Sequence, residues 1–160
     1  MEALALNAFW SNKRVLLTGH TGFKGGWLAV WLQQLGADVR GYALPAGTTP
    51  SFWSVAGLGQ RVTGDLADIT DAGELNRAVR AFEPQIVLHL AAQPLVREAY
   101  RNPAQTYATN VMGTVNLLEA VRHCPSVRAL VMVTNDKCYE NREWFWPYRE
   151  HDVLGGFDPY

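Results

Sequence analysis

Two cysteines, no block of like charge, no long apolar run and no low-complexity tract: each shortage closes off a class of function. Cys124 and Cys138 have neither the number for a disulfide framework nor the spacing of metal ligands, so they read as inert thiols of a reducing compartment and no metal site is expected. Lys and Arg number 14 against 15 Asp and Glu, and the resulting net charge of -1 is scattered along the chain. That leaves no electrostatic footprint for nucleic acid or an anionic membrane, and any nucleotide bound here is small. Nothing approaches the roughly 20 apolar residues that span a bilayer. The amino terminus "MEALALNAFW" lacks a signal peptide's basic flank and cleavage pattern, which points to a cytoplasmic chain. What remains, 160 residues at 48% hydrophobic and 18% charged, is ordinary for one globular domain.

The apolar pattern changes type along the chain. Val15, Leu16 and Leu17 read as a short buried strand, and Leu28, Trp31, Leu32 and Leu35 follow at helical spacing until Gly36 ends the helix. "DVRGYAL" is a second strand, "PAGTTPSFWSVAGLG" a long connection with one short turn, and "RVTGDL" a third strand. In "TDAGELNRAVRAF" Asp71 and Glu74 resemble a capping box ahead of Leu75, Ala78, Val79 and Phe82, and Pro84 closes that helix. "QIVLHLAA" is almost continuously apolar, as a parallel strand covered on both faces should be. "TYATNVMGTVNLLEAVRHC" predicts one helix with Val111, Val115, Leu118 and Val121 on its apolar side, and "ALVMVT" a fifth strand. From Asn135 onward no period is sustained. Strands alternating with helices predict a doubly wound parallel sheet of Rossmann type, incomplete at the carboxy terminus.

In "TGHTGFKGG" Gly19, Gly22 and Gly25 follow a strand and open a helix, the context in which a glycine pattern marks a dinucleotide site. Free backbone N–H groups and the positive end of the helix dipole stabilise a pyrophosphate there, and a side chain at Gly22 would occupy its space. Lys24 adds charge or is simply solvated. The second strand, "VRGYA", offers no carboxylate for the ribose hydroxyls, and Arg40 stands within it rather than at its end. Asp65, after the third strand, is either a partner of the adenine amino group or a plain loop carboxylate. Without a basic cluster for an extra phosphate, NAD is expected over NADP.

The glycine spacing, followed in order by "GDL", "LHLAA" and "NVMGTVNLLEA", resembles the extended short-chain dehydrogenase/reductase family. "AAQPLVREAY", "NPAQTYATNVMGT", "VTNDKCYENREW" and "GGFDPY" resemble the nucleotide-sugar 4,6-dehydratases within it. The resemblance implies that this chain is a truncated amino-terminal portion, its carboxy-terminal substrate domain absent, inactive alone and homo-oligomeric at full length. It implies NAD and a small nucleotide sugar as ligands. Phe23 and Leu66 join Asp65 and the glycines as cofactor-binding, with Ala91, Ala92 and Gln93 on the ribose and nicotinamide side. Asn110 becomes a buried asparagine supporting the site, against the plainer reading of a helix-kinking hydrogen bond.

The family's reaction oxidises C4 of the sugar, eliminates water across C5 and C6, and returns the hydride to C6. The resemblance makes Tyr160 the group that takes the hydroxyl proton, and Asp136 and Lys137 the acid and base of the elimination. Asn135 stands where Ser or Thr is usual in the family, and an amide cannot relay a proton as a hydroxyl does. Thr134, beside it, is expected to point elsewhere on an extended backbone. "EWFWPY" reads as apolar cover for an interface, or as a lid.

Overall fold

The computed structural model describes residues 8–160, so the amino-terminal reading falls largely outside the described residues. Five parallel strands form one sheet: β1 (Arg14–Thr18), β2 (Asp38–Ala43), β3 (Thr63–Leu66), β4 (Ile86–His89) and β5 (Ala129–Met132), in the spatial order β3-β2-β1-β4-β5. This is the doubly wound arrangement, with the reversal of strand order between β1 and β4. No helix among the described residues is long and apolar enough to cross a membrane.

Alternation along the strands builds two cores. Successive side chains leave opposite faces, so Leu16 and Val87 join Tyr42, Leu75, Val79 and Leu117 on one face. Val15, Leu17 and Ile86 join Ala29, Leu32, Val39 and Leu58 on the other. The first face is covered by α3 (Ala72–Phe82) and α6 (Gly113–Arg122), the second by α1 (Phe23–Gln34) and the short α2 (Phe52–Val55). Two further short helices are α4 (Val96–Arg101) and α5 (Pro103–Tyr107). The Asp71 carboxylate accepts from the Glu74 amide at 2.9 Å and caps α3, as its sequence suggests. Gly36, at φ 86°, ends α1 in the left-handed conformation.

Three expectations fail, each for a packing reason. In α1 the inward stripe is Gly25, Gly26, Ala29 and Leu32, while Trp31 is 60% exposed. Small residues let this helix lie close to the sheet. The single helix expected around Asn110 is interrupted by a π turn at Ala108–Met112, and α6 then buries Gly113, Leu117 and Ala120. Val111, Val115 and Leu118 are exposed, against expectation, and of the predicted face only Val121 packs against the core. The connection after β2 holds α2 and a 3₁₀ turn at Leu58–Gln60 rather than one turn.

Two histidines are sunk into this frame. His20 is 1% exposed, its ring set edge-on against Trp53 at 4.9 Å and against the Gly41 backbone, where a β-carbon would overlap it. His89 is 4% exposed at the end of β4. Burial lowers the pKa of both below the ordinary value. Below about pH 6.5 the unfolded chain therefore takes up protons that the native chain refuses, so stability is full above that pH and falls as pH drops beneath it. Urea midpoints measured from about pH 7.5 down to about pH 5 should fall, and replacing both histidines with neutral residues should flatten the decline. An unchanged slope in that double variant would assign the loss to other groups.

Candidate functional site

The carboxyl ends of the strands and the turns that follow them enclose a cavity of about 770 Å³, within the range of cofactor sites. After β1 come Gly19, Thr21, Gly22, Phe23, Lys24 and Gly25; after β2, Leu44 and Pro45; after β4, Leu90, Ala91 and Ala92. Asn110 and Thr114 line it from the broken helix, and Thr134, Asn135 and Tyr160 from the carboxy-terminal part.

The three glycines do different work. Gly19 has φ 74°, and a β-carbon there would stand 2.7 Å from the Leu90 carbonyl carbon. A β-carbon at Gly25 would overlap the Gly19 carbonyl oxygen, so this glycine sets how closely α1 approaches the turn. Gly22, the N-cap of α1, has φ -75°, and its absent β-carbon would meet only the Gly19 carbonyl oxygen at 3.3 Å. It is therefore glycine for the space it leaves at the helix N-terminus. The Thr21 hydroxyl donates to the Leu44 carbonyl at 2.8 Å and ties the turn to the end of β2.

On the opposite lip, Asn110 grips the backbone of Gln93: its Oδ1 accepts from the Gln93 amide at 2.8 Å and its Nδ2 donates to the Gln93 carbonyl at 3.2 Å. The Gln93 side chain in turn holds both backbone groups of Leu95 and the Thr106 hydroxyl. Asn110 is half-buried rather than buried, and Gln93 works as part of this latch without lining the cavity. The Ala91 amide is directed inward to the Thr18 hydroxyl at 3.1 Å, so Ala91 can offer a ligand its carbonyl or its methyl.

The third strand corrects the sequence reading. Asp65 lies inside β3, not after it, and accepts both arms of the Arg40 guanidinium at 3.1 and 3.2 Å. Neither Asp65 nor Leu66, which is 60% exposed, lines the cavity; Ala67, Asp68 and Ile69 do. The strand runs through Leu66, and the Asp65 carboxylate is already committed to Arg40.

The segment after β5 returns on itself. Tyr139 and Leu154 form an antiparallel bridge, with the Glu140 amide on the Val153 carbonyl at 2.9 Å and the Gly155 amide on the Cys138 carbonyl at 3.0 Å. The excursion brings "FDPY" back beside the start of the loop, where Lys137 Nζ lies 3.4 Å from an Asp158 carboxylate oxygen. Asn135 Oδ1 accepts from the Lys137 amide at 2.8 Å and caps the 3₁₀ turn Asp136–Cys138. Asn135 and Tyr160 thus line the cavity, whereas Asp136 and Lys137 do not line it and are exposed. Thr134, expected to point elsewhere, also lines it. His89 and His20 escaped sequence reading, since a lone histidine in an apolar run carries no spacing signal.

A parallel sheet reversing between β1 and β4, with a glycine turn at the reversal, defines a Rossmann-type nucleotide-binding fold. The family model described as GDP-mannose 4,6 dehydratase matches residues 16–160, and the chain belongs to that family. It is 53% identical over 152 residues to the CDP-glucose 4,6-dehydratase of Salmonella typhimurium, covering 95% of this chain and 42% of that one. It is 32% identical over 126 residues to the GDP-mannose 4,6-dehydratase of Yersinia enterocolitica, covering 69% of this chain and 31% of the relative. Among solved structures, the UDP-glucose 4-epimerase of Thermus thermophilus in complex with NAD superposes with a TM-score of 0.78 at 27% identity, over 92% of this chain and 46% of that one. The chain therefore spans less than half the length of these relatives.

The glycine geometry separates two variants. Gly25→Ala should cost about 1–3 kcal/mol through overpacking. Gly22→Ala should cost no more than about 1 kcal/mol, as a poorer N-cap. Chemical denaturation of the two variants in parallel tests the ranking, and equal losses would show that the close approach at Gly25 relaxes freely.

Proposed function

We propose that this chain forms the dinucleotide-binding part of an NAD-dependent CDP-glucose 4,6-dehydratase, a hydro-lyase acting on a nucleotide sugar. The observation that carries the reading is a single cavity that gathers the glycine turn, Asn110, Asn135 and Tyr160 from four separate stretches of sequence. The 53% identity to a CDP-glucose 4,6-dehydratase supports the substrate, and the apolar rim of Ala43, Leu44 and Pro45 supports NAD over NADP. Arg40, the one arginine of β2, is held by Asp65 away from that rim.

NAD fits the residues present: the Gly22 position leaves room for a pyrophosphate at the N-terminus of α1, and Gly19, Gly25, Ala91 and Ala92 flank it. When bound, it supplies the acceptor for the C4 hydride and its return to C6. Tyr160 takes the proton of the C4 hydroxyl as the hydride leaves. Asp136 gives a proton to the departing C6 hydroxyl, and Lys137 removes the C5 proton, so that water is lost. For Lys137 to accept that proton it must part from Asp158, with which it is paired at 3.4 Å. Asn135 holds a sugar hydroxyl by hydrogen bonding and moves no proton. An epimerase of the same fold needs no elimination, and the adjacent Asp136 and Lys137 favour the dehydratase. Homo-oligomer formation would use the apolar face exposed by Tyr107, Val111, Val115 and Leu118.

Two measurements test the reading. Calorimetry with NAD should show binding that Gly22→Val abolishes while the sheet stays folded by circular dichroism. Equal affinity in both would remove the pyrophosphate from that turn, and tighter binding of NADP would reverse the cofactor assignment. In the native-length protein, Asp136→Asn should still oxidise C4 but lose the C6 hydroxyl slowly, so reduced cofactor accumulates in single turnover. Turnover at the wild-type rate would take the acid role from Asp136.

A further inference from the structure

The first two strands of the reversal end on polar residues in register, Thr18 opposite His89, after purely apolar runs. The hydrogen bonds around them admit one direction. The Thr18 hydroxyl oxygen accepts from the Leu90 and Ala91 amides, both at 3.1 Å. The Leu90 amide is shared with the Thr18 carbonyl at 3.2 Å and the Ala91 amide falls to the hydroxyl, whose own hydrogen can go to His89 Nδ1 at 2.7 Å. On the far side of the ring, the Thr114 hydroxyl donates to the Asn110 carbonyl at 2.7 Å, in the widened π turn. Thr114 then has only lone pairs to offer His89 Nε2 at 3.1 Å, and that nitrogen must carry the hydrogen.

We propose that His89, as the neutral Nε2–H tautomer, is a positioning residue of the dinucleotide site, joining the strand-end loop at Leu90 and Ala91 to the helix turn at Asn110 through Thr18 and Thr114. The proposal rests on reading the cavity as a dinucleotide site. Its content goes further, because it adds a second tie, at the sheet's end, between the loop from Leu90 to Gln93 and the turn that bears Asn110, which the Asn110 side chain already joins at Gln93. Asn110 is then held at both ends, its carbonyl by Thr114 and its side-chain amide by the Gln93 backbone. Burial leaves the ring no water to substitute for a lost partner. The Nδ1–H tautomer would set two hydrogens against each other at Thr18 and turn a bare Nε2 on the lone pairs of Thr114.

Nitrogen-15 NMR of the imidazoles in the native-length protein tests the tautomer directly: His89 should show a protonated Nε2 and an unprotonated Nδ1 at neutral pH. A protonated Nδ1 overturns the proposal. Thr114→Val keeps the shape, removes both bonds and should weaken NAD binding about three- to tenfold, the range of one or two hydrogen bonds. Thr114→Ser should restore the wild-type affinity. Equal NAD affinity in wild type and Thr114→Val, with the tautomer intact, overturns the positioning role while leaving the cavity's assignment in place. A serine variant as weak as the valine one also overturns it, by assigning the loss to packing. If the wild type binds neither NAD nor NADP, the dinucleotide reading fails and the positioning role with it, whatever tautomer the spectra show.

Discussion

The backbone leaving β1 passes so near the end of β4 that a β-carbon at Gly19 would stand 2.7 Å from the Leu90 carbonyl carbon, and the site hangs from that approach. Gly19 takes φ 74°, which turns the chain over the top of the sheet at the point where strand order reverses. Gly25 then lets α1 settle against the same turn, so the first N–H groups of the helix open onto the cavity rather than onto solvent. A bulkier residue at either position would lift the helix and close the space that Gly22 leaves open.

Close approach of backbones brings a polar burden, because amides at the strand ends are withdrawn from water. Leu90 and Ala91 meet it with the hydroxyl of Thr18, and Asn110 with the hydroxyl of Thr114. Each such group left unpaired would cost about 1–3 kcal/mol. His89 stands between the two hydroxyls and is itself satisfied by them. His20 contrasts with it: its Nδ1 is buried without a partner, and its ring is held by Trp53 and the Gly41 backbone. Two buried histidines, one in the glycine turn and one at the end of β4, thus differ in how their polar atoms are satisfied, one inside a network and one inside a packing contact.

How much of this was legible in the sequence follows from what each element packs against. The strands were readable because a parallel strand covered on both faces must be apolar throughout, and Val15, Leu16, Leu17 and Ile86, Val87, Leu88 are. The glycine turn was readable for its place between strand and helix. The face of α3 is legible in Leu75, Ala78, Val79 and Phe82, whereas α1 and α6 bury small residues that no apolar period marks: a β-carbon at Gly113 would stand 2.6 Å from Ile69 Cγ2. The π turn added a residue that no period announces and rotated everything beyond it. Tyr160 is legible only through the motif "GGFDPY", and nothing in the sequence places that motif near Lys137; a long-range bridge at Tyr139 and Leu154 brings Asp158 back to it.

The substitution at Asn135 gains its meaning from that same loop. Its Oδ1 accepts from the Lys137 amide, which fixes the orientation of a side chain that lines the cavity. An amide so held can give or take a hydrogen bond but cannot relay a proton. A hydroxyl in that place could accept one proton while giving another; an amide can only fix an oxygen in position. In the proposed reaction this divides the labour more sharply than the family pattern does, with Asn135 orienting the sugar and every proton passing through Tyr160, Asp136 or Lys137. Lys137 in turn is held by Asp158, two residues before Tyr160, so the position of the base and that of the phenol are set by the same short stretch of backbone.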